Sequence, residues 1–494
     1  MQERGSYLAL DLGAESGRAV LGTVVDGRLA LEVLHRFPNE PQRILNAFYW
    51  DTPRLFAEIK NGLRAAKTNL YGELHGIGVD TWGVDFGLLD RNDELLGLPR
   101  HYRDHHTDGI LEKAFAMVPA EEIYRRTGIQ FMQINTLFQL LAMQLRGSAI
   151  LDNAASLLMT PDLLHFWLTG IKSWEYTIAS TSQCFNPIAG DWDRNLLAQM
   201  GLPSNLFGPV CDPASEIGSL HTTVRRETGL GEVPVIAVAT HDTASAVAAV
   251  PSEEGEGWAY ISCGTWSLVG VERPTPVMDD ASLRFNLTNE GGVNRTTRLL
   301  RNVMGLWLLQ ECRRSWKASG NLYEYAQLAA MAADSPPLQA LIDPDAPEFL
   351  SPEDMPSAIV SWCRASGQRS PSDVAAVVRC IIDSLALKYR WVLERLEEVT
   401  GSRIHTVHII GGGCQNRELC QAAADASGRR VLAGPVEATA AGNVLVQAMA
   451  TGRLENLADI RAVVRASFPV EEFLPRPHAD WDAAYARFVQ MLRA

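Results

Sequence analysis

The stretch "YLALDLGAESGRAVLGTVV", Tyr7 to Val25, decides the fold. Two runs of aliphatic and β-branched residues flank a turn of small, hydroxyl and charged residues, the pattern of two strands joined as a hairpin. The pattern returns as "WAYISCGTWSLVGV", Trp258 to Val271. A related strand–turn–strand is "HGIGVDTWGVDFGLLD", His75 to Asp90, which closes in the turn-like "DRND". A further strand, "HTVHII" from His405 to Ile410, runs into "GGGCQN" and then an Ala-rich helical segment. Helical periodicity is clear over Val374 to Glu398 and over Ala479 to Leu492. Strand hairpins alternating with helices predict an α/β fold with a duplicated architecture, one hairpin per domain. The acidic, Gly-rich "PSEEGEG", Pro251 to Gly257, is the natural boundary. The expected domains are residues 1–248 and 249–494, with the final helix a candidate to pack back on the first domain.

The length of 494 residues predicts two or three domains, and 47% hydrophobic with 21% charged residues is globular composition. A formal net charge of −14 argues against a nucleic-acid surface, although backbone N–H groups and metal ions can still hold an anion locally. No apolar run is long enough to span a bilayer; the segment Val374 to Leu387 is broken by Arg379 and Asp383. "MQERGS" leads straight into the first strand and leaves no room for a signal peptide, so the cytoplasm is the expected compartment. Eight scattered cysteines without a CxxC pair signal neither a disulfide scaffold nor a zinc site.

Chemistry gathers where strands end. In "PVIAVATHDTASAV", Pro234 to Val247, the buried strand reading of Val235 to Ala239 stops at Thr240-His241-Asp242-Thr243. Asp242 reads either as a helix N-cap or as a reactive carboxylate. In the first hairpin, Asp11 precedes Gly13 to Arg18, where glycine admits close backbone approach and Ser16 adds a hydroxyl. That turn alone is read as a plain hairpin. A second such turn at Ser262 to Ser267 makes the pair a candidate clamp for a polyphosphate. No GxxxxGK[ST] loop occurs, and "GGGCQN", Gly411 to Asn416, lacks the third glycine of a dinucleotide fingerprint. The histidines of "HYRDHH", His101 to His106, lack a supporting metal motif, so a solvated loop or ligand contacts from Tyr102, Arg103 and Asp104 are expected instead. Trp82, between Asp80 and Asp85, is read either as core or as an aromatic face for a sugar.

Together the motifs resemble the FGGY family of carbohydrate kinases. The resemblance rests on "ALDLGAESGR" (Ala9 to Arg18), "GVDTWGVDF" (Gly78 to Phe86), "YRD" (Tyr102 to Asp104), "THDTASAV" (Thr240 to Val247) and "SCGTWSL" (Ser262 to Leu268). It continues through "TNEGG" (Thr288 to Gly292), "NVMGLWLLQ" (Asn302 to Gln310), "GGGCQN" and "GPVEATAAGN" (Gly434 to Asn443), spanning nearly the whole chain. The resemblance implies a two-domain, actin-like ATPase fold of the sugar kinase/Hsp70/actin superfamily, with ribonuclease H-like domains and a catalytic cleft between them. It also implies phosphorylation of a ketose by ATP with Mg²⁺. "DTWGVDF" with "NVMGLWLLQ" is most similar to the branch that makes L-rhamnulose 1-phosphate in L-rhamnose catabolism.

By this resemblance Asp242 is the catalytic base, and Gly83, His241, Asp242 and Thr243 contact the sugar, joined by Trp82, Tyr102 and Arg103. Ala14, Glu15, Ser16, Gly17, Arg18 and Thr265 cradle phosphates, while Asn302, Gln310 and Gly412 border the nucleotide. Asp11 helps place Mg²⁺, directly or through water. Glu15 puts a negative charge in a phosphate turn, which leaves it facing solvent or Mg²⁺ through water. Closure of the domains on the sugar implies weak ATP hydrolysis without it. The alternatives are another ketose, L-fuculose or L-xylulose, a partner-controlled ATPase of the actin or Hsp70 kind, or a sugar-binding regulator. No nucleic-acid or membrane partner is expected.

Overall fold

The computed structural model describes residues 5–492 apart from 71, 254, 256 and 477–479. Part of the expected boundary, Pro251 to Gly257, and the expected start of the last helix at Ala479 therefore lie outside the described residues. The chain divides into two units, each assembled from three stretches. The first comprises Met1–Pro251, Glu272–Leu299 and Ala438–Ser467; the second comprises Ser252–Val271, Leu300–Glu437 and Phe468–Ala494.

In the first unit, β1 (Gly5–Leu12), β2 (Ser16–Val25), β3 (Arg28–Pro38), β4 (Gly76–Thr81), β5 (Ser215–Ser219) and β6 (Pro234–Ala237) form one sheet in the order β5-β6-β4-β1-β2-β3. β1 runs antiparallel to β2 and parallel to β4, which runs parallel to β6. All eight residues of β1 are buried, because helices cover both faces of the sheet. On one face lies the helix Thr52–Asn69, which starts where the Asp51 carboxylate accepts the Arg54 N–H at 3.2 Å and buries Leu55, Ile59, Leu63 and Ala66. The helix Ala438–Ala450 covers the other face. Glycines clear its path: a Cβ on Gly22 would come 2.5 Å from Val444, and one on Gly78 would come 2.6 Å from Asn443 Oδ1. Gln447 Nε2 then donates to the Leu8 carbonyl at 3.1 Å.

The second unit repeats the plan. β7 (Trp258–Cys263), β8 (Trp266–Arg273), β9 (Thr297–Met304), β10 (Thr406–Ile410), β11 (Arg430–Ala433) and β12 (Glu471–Phe473) run in the order β9-β8-β7-β10-β11-β12. Again the first hairpin is antiparallel and the next two pairings are parallel. The helix Val374–Thr400 is capped by Asp373, whose carboxylate accepts the Ala376 N–H at 2.9 Å, and ends at the left-handed Gly401.

Residues 272–299 and 438–467 group with the first unit, because helix 438–450 buries its face on β1 and β4. One sequence expectation is corrected. The final helix, Asp480–Met491, belongs to the second unit, where Tyr485 donates to Glu394 at 2.5 Å and Asp482 pairs with Arg390 at 2.6 Å. The strand–turn–strand expected over residues 75–90 is present, but its two strands do not pair with each other: Phe86–Leu89 pairs with Ser156–Met159 in a separate two-stranded ribbon. The chain is redirected between the two strands by Val84, a β-branched residue at φ 68°.

Candidate active site

The parallel strands of the first sheet end together, and three carboxylates stand at or just beyond those ends. Asp11 of β1 and Asp80 of β4 are register partners. β6 ends at Ala237, and beyond it Thr81 N–H donates to the Thr240 carbonyl at 2.9 Å, bringing His241 and Asp242 to the same edge. His241, not Asp242, occupies the cap position of helix Asp242–Ala248, which corrects the cap reading. Asp242 is the first helical residue, and its Oδ1 accepts from the Thr243 N–H at 2.5 Å and the Thr243 hydroxyl at 3.1 Å.

The electrostatics follow from burial first and from the nearby Asp11 charge second. Burial raises the Asp242 carboxyl to about 7, and the Asp11 charge adds to this; the Thr243 donors and Arg298 pull the other way. The side chain still keeps 29% of its surface open, so it can meet a ligand. Asp80 is fully buried, and burial followed by Asp11 pushes its carboxyl well up, against a 2.5 Å hydrogen bond donated by Asn443 Nδ2. Asp80 Oδ1 has no hydrogen-bond partner among the described residues. Arg18 binds Asp11 Oδ2 twice, at 2.7 and 2.9 Å. The expected phosphate-turn arginine is therefore engaged with the expected Mg²⁺ carboxylate.

His241 is placed from two directions. Its N–H donates to Thr177 Oγ1 at 3.2 Å, while the buried Glu175 carboxylate accepts from the N–H groups of Thr177, Ile178 and Thr240 and from both threonine hydroxyls. On the ring side, Arg298 Nη2 lies 3.0 Å from Nδ1. Burial first, and Arg298 second, hold the imidazole well below its ordinary value, so the ring is neutral.

Trp82 is buried, and it is not an open platform. Its ring lies 4.0 Å from that of Trp50, which stacks at 4.1 Å on His101, which in turn stacks at 4.6 Å on Tyr102. Both indole N–H groups and Gln139 Nε2 donate to Asp85, at 3.0, 2.5 and 2.9 Å. Burial nevertheless raises Asp85 to about 7. Its acceptor capacity serves this stack. Gly83 lies against Thr181, where an added Cβ would come 3.2 Å from Oγ1. The expected solvated loop is also corrected: His101, Tyr102, Arg103, Asp104 and His106 are buried. Asp104 accepts from Phe48 N–H at 2.7 Å, from the His106 ring at 2.9 Å and from Arg100 at 2.9 Å, which holds its carboxyl far below the usual range despite burial.

The first turn is closed by Gly13 N–H donating to the Ser16 carbonyl at 3.0 Å and braced by Asn39 Nδ2 on the Gly13 carbonyl at 2.9 Å. Glu15 and Ser16 are exposed, Ala14 and Arg18 are half-buried, and Gly17 is buried where a Cβ would collide with Phe37 at 2.2 Å.

The second unit holds the residues expected on the nucleotide side, around the matching turn. The Thr265 carbonyl accepts from Gly305 N–H at 3.2 Å and Trp307 N–H at 3.1 Å, tying the turn to the start of the helix that carries Gln310. Asn302 lies on β9, two residues before its end. Beyond β10, Gly411 takes φ 81°, and a Cβ on Gly413 would overlap Cys263 Sγ at 2.2 Å. Gly412 between them is exposed, and a Cβ added there would meet nothing within 4 Å.

Residues that sequence reasoning missed are Arg298, Glu290, Glu175 and Asn443. Glu290 and Asn443 sit inside quoted motifs, "TNEGG" and "GPVEATAAGN", which could have flagged them; Glu175 and Arg298 carried no local signal.

Comparison with known proteins agrees with this arrangement. The N-terminal domain of the FGGY family of carbohydrate kinases matches residues 6–249, and the C-terminal domain of that family matches residues 259–451. Curated relatives include a rhamnulokinase of Bacteroides thetaiotaomicron, 44% identical over 99% of both chains. Another, from Mannheimia succiniciproducens, is 42% identical over 97% of this chain and 98% of its own. Among solved structures, a ligand-bound xylulose kinase from Lactobacillus acidophilus superposes with TM-score 0.81 at 15% identity, over 99% of this chain and 98% of that one. A glycerol kinase from Plasmodium falciparum with ADP gives 0.73 at 14% identity, over 99% and 97%. At these identities the structures speak for the fold alone, an actin-like ATPase fold of two FGGY domains. With both domain descriptions matched and near full-length relatives above 40% identity, the chain belongs to the FGGY family of carbohydrate kinases.

Proposed function

We propose that this chain transfers the γ-phosphoryl group of ATP to the 1-hydroxyl of L-rhamnulose, giving L-rhamnulose 1-phosphate and ADP in the cytoplasm. The substrate reading is supported by the curated rhamnulokinases, which align over nearly the whole chain. The single observation that carries the mechanism is Asp242: a carboxylate just beyond a strand end, partly open, with its neighbour His241 fixed from both sides.

Asp242 accepts the proton of the sugar's primary hydroxyl as that oxygen bonds to the γ-phosphorus and the bond to the β-phosphate oxygen breaks. Such positioned bases contribute roughly 10²–10⁴-fold. His241, Thr243 and Gly83 orient the sugar, and Trp82, next to Gly83, is held in the stack with Trp50, His101 and Tyr102. The turns at Ala14–Arg18 and at Thr265 present backbone N–H and hydroxyl groups to phosphates, with Gly412, Asn302 and Gln310 beside the nucleotide.

Carboxylate oxygens are the donors a hard cation takes; burial first and the Asp11 charge second raise both Asp80 and Asp242, and Arg18 binds Oδ2 of Asp11. Mg²⁺ bound with ATP would neutralise charge on the transferring phosphoryl group. Asp11 is the residue that would hold it, directly or through water.

The test is ADP release with Mg-ATP across L-rhamnulose, L-fuculose and L-xylulose, with the product identified by ³¹P NMR. Preferred turnover on L-rhamnulose with phosphate at position 1 supports the proposal. Preference for another ketose keeps the mechanism and overturns the substrate.

A further inference from the structure

Arg298 is fully buried, and the mechanism leaves it unused. A buried guanidinium needs compensating partners. Its Nε donates to the Gly291 carbonyl at 2.8 Å, its Nη2 lies 3.3 Å from Glu290 Oε2, and the same Nη2 lies 3.0 Å from His241 Nδ1. Glu290 Oε2 is itself 3.4 Å from that Nδ1, so a cation and an anion compete for one ring nitrogen. The arginine is the closer, and it has only hydrogens to offer. Nδ1 facing it must therefore be an acceptor, which leaves the ring proton on Nε2, 3.5 Å from Asp242 Oδ1. Glu290, Arg298 and Asp242 are the charged groups placed against this imidazole.

We infer that Arg298 is a positioning residue: it fixes His241 as the neutral Nε2–H tautomer, so that the ring presents a donor on the side of Asp242 and the sugar oxygens. With full burial, Arg298 acts through His241 and does not touch substrate. Glu290 balances its charge without taking the ring proton. The role of the tautomer in turnover rests on the kinase reading above; the tautomer itself does not.

The test uses the full-length protein labelled with ¹⁵N-histidine, with the His241 ring signals identified by their loss in His241→Gln. Long-range ¹H–¹⁵N spectra of the ligand-free protein near neutral pH should show Nδ1 unprotonated and Nε2 protonated. An imidazolium, or a proton on Nδ1, overturns the inference whether or not any sugar is turned over. Because removing Arg298 alone strands a buried Glu290, the variant is the double change Arg298→Met with Glu290→Gln. It should shift the tautomer signals and lower kcat/KM for the ketose by roughly 10²-fold, the cost of a small misplacement, with KM for ATP unchanged. Retention of both the wild-type tautomer and kcat/KM in a folded double variant also overturns it.

Discussion

At the scale of the residue, Asp242 carries both a rate and a stability signature. A base must be ionised, so with its carboxyl raised to about 7, kcat/KM for the ketose should climb about tenfold per pH unit below that value and level off above it. A profile that is flat from about pH 5 to 8 would remove Asp242 from the proton transfer. The stability effect has the opposite slope. A carboxyl raised on folding stabilises the native state below its unfolded value, and that contribution is lost as pH rises through the folded value. Asp242→Asn should therefore melt higher than the wild type at about pH 8, with the gap shrinking toward about pH 5. At this scale the sequence was informative where function concentrates in short motifs. Asp11, His241 and Asp242 could be picked out because strand ends and turn chemistry mark them. Glu175 and Arg298 could not, since each meets His241 or Thr240 across more than fifty positions of chain: the Thr240 hydroxyl bond spans 65 residues and the Arg298 contact spans 57.

At the scale of the element, the two hairpins were legible because alternation of strand, turn and strand is local. The partner of helix 438–450 was not. Its Ala-rich sequence announces a helix but not the sheet it covers, and the contact with helix 242–248 becomes visible only in three dimensions. There the small residues of "ASAV" and "ATAAGN" meet so closely that a Cβ on Gly442 would come 1.8 Å from the Ser245 carbonyl oxygen. A backbone atom cannot swing aside as a side-chain end can. Gly442→Ala should thus cost about 1–3 kcal/mol in urea unfolding, the usual range for overpacking. It should also depress kcat, because the next residue, Asn443, holds Asp80 and the opposing helix begins at Asp242. Wild-type stability and turnover in this variant would refute the close contact. The turn after β4 teaches a similar lesson. Residues 75–90 read as strand, turn and strand, yet Val84 at φ 68° sends the second strand to a different partner, a conformation that no β-branched residue advertises in sequence.

At the scale of the whole molecule, the same strand order occurs twice, β3-β2-β1-β4-β6 in one unit and β9-β8-β7-β10-β11 in the other. That duplication was readable from two hairpins alone. The boundaries were less so, because the chain returns to the first unit at 272–299 and 438–467. Water is the competing acceptor for any kinase, and the expectation of closure on the sugar predicts ADP release without ketose at least about 10²-fold slower than with it. Comparable rates would contradict that closure. The most direct test of the central claim compares ketose-dependent ADP release by the wild type and Asp242→Asn at saturating Mg-ATP. Turnover on L-rhamnulose should fall roughly 10²–10⁴-fold in the variant while ATP binding is retained. An Asn variant within about tenfold of the wild type, or a wild type that no ketose stimulates, would contradict it.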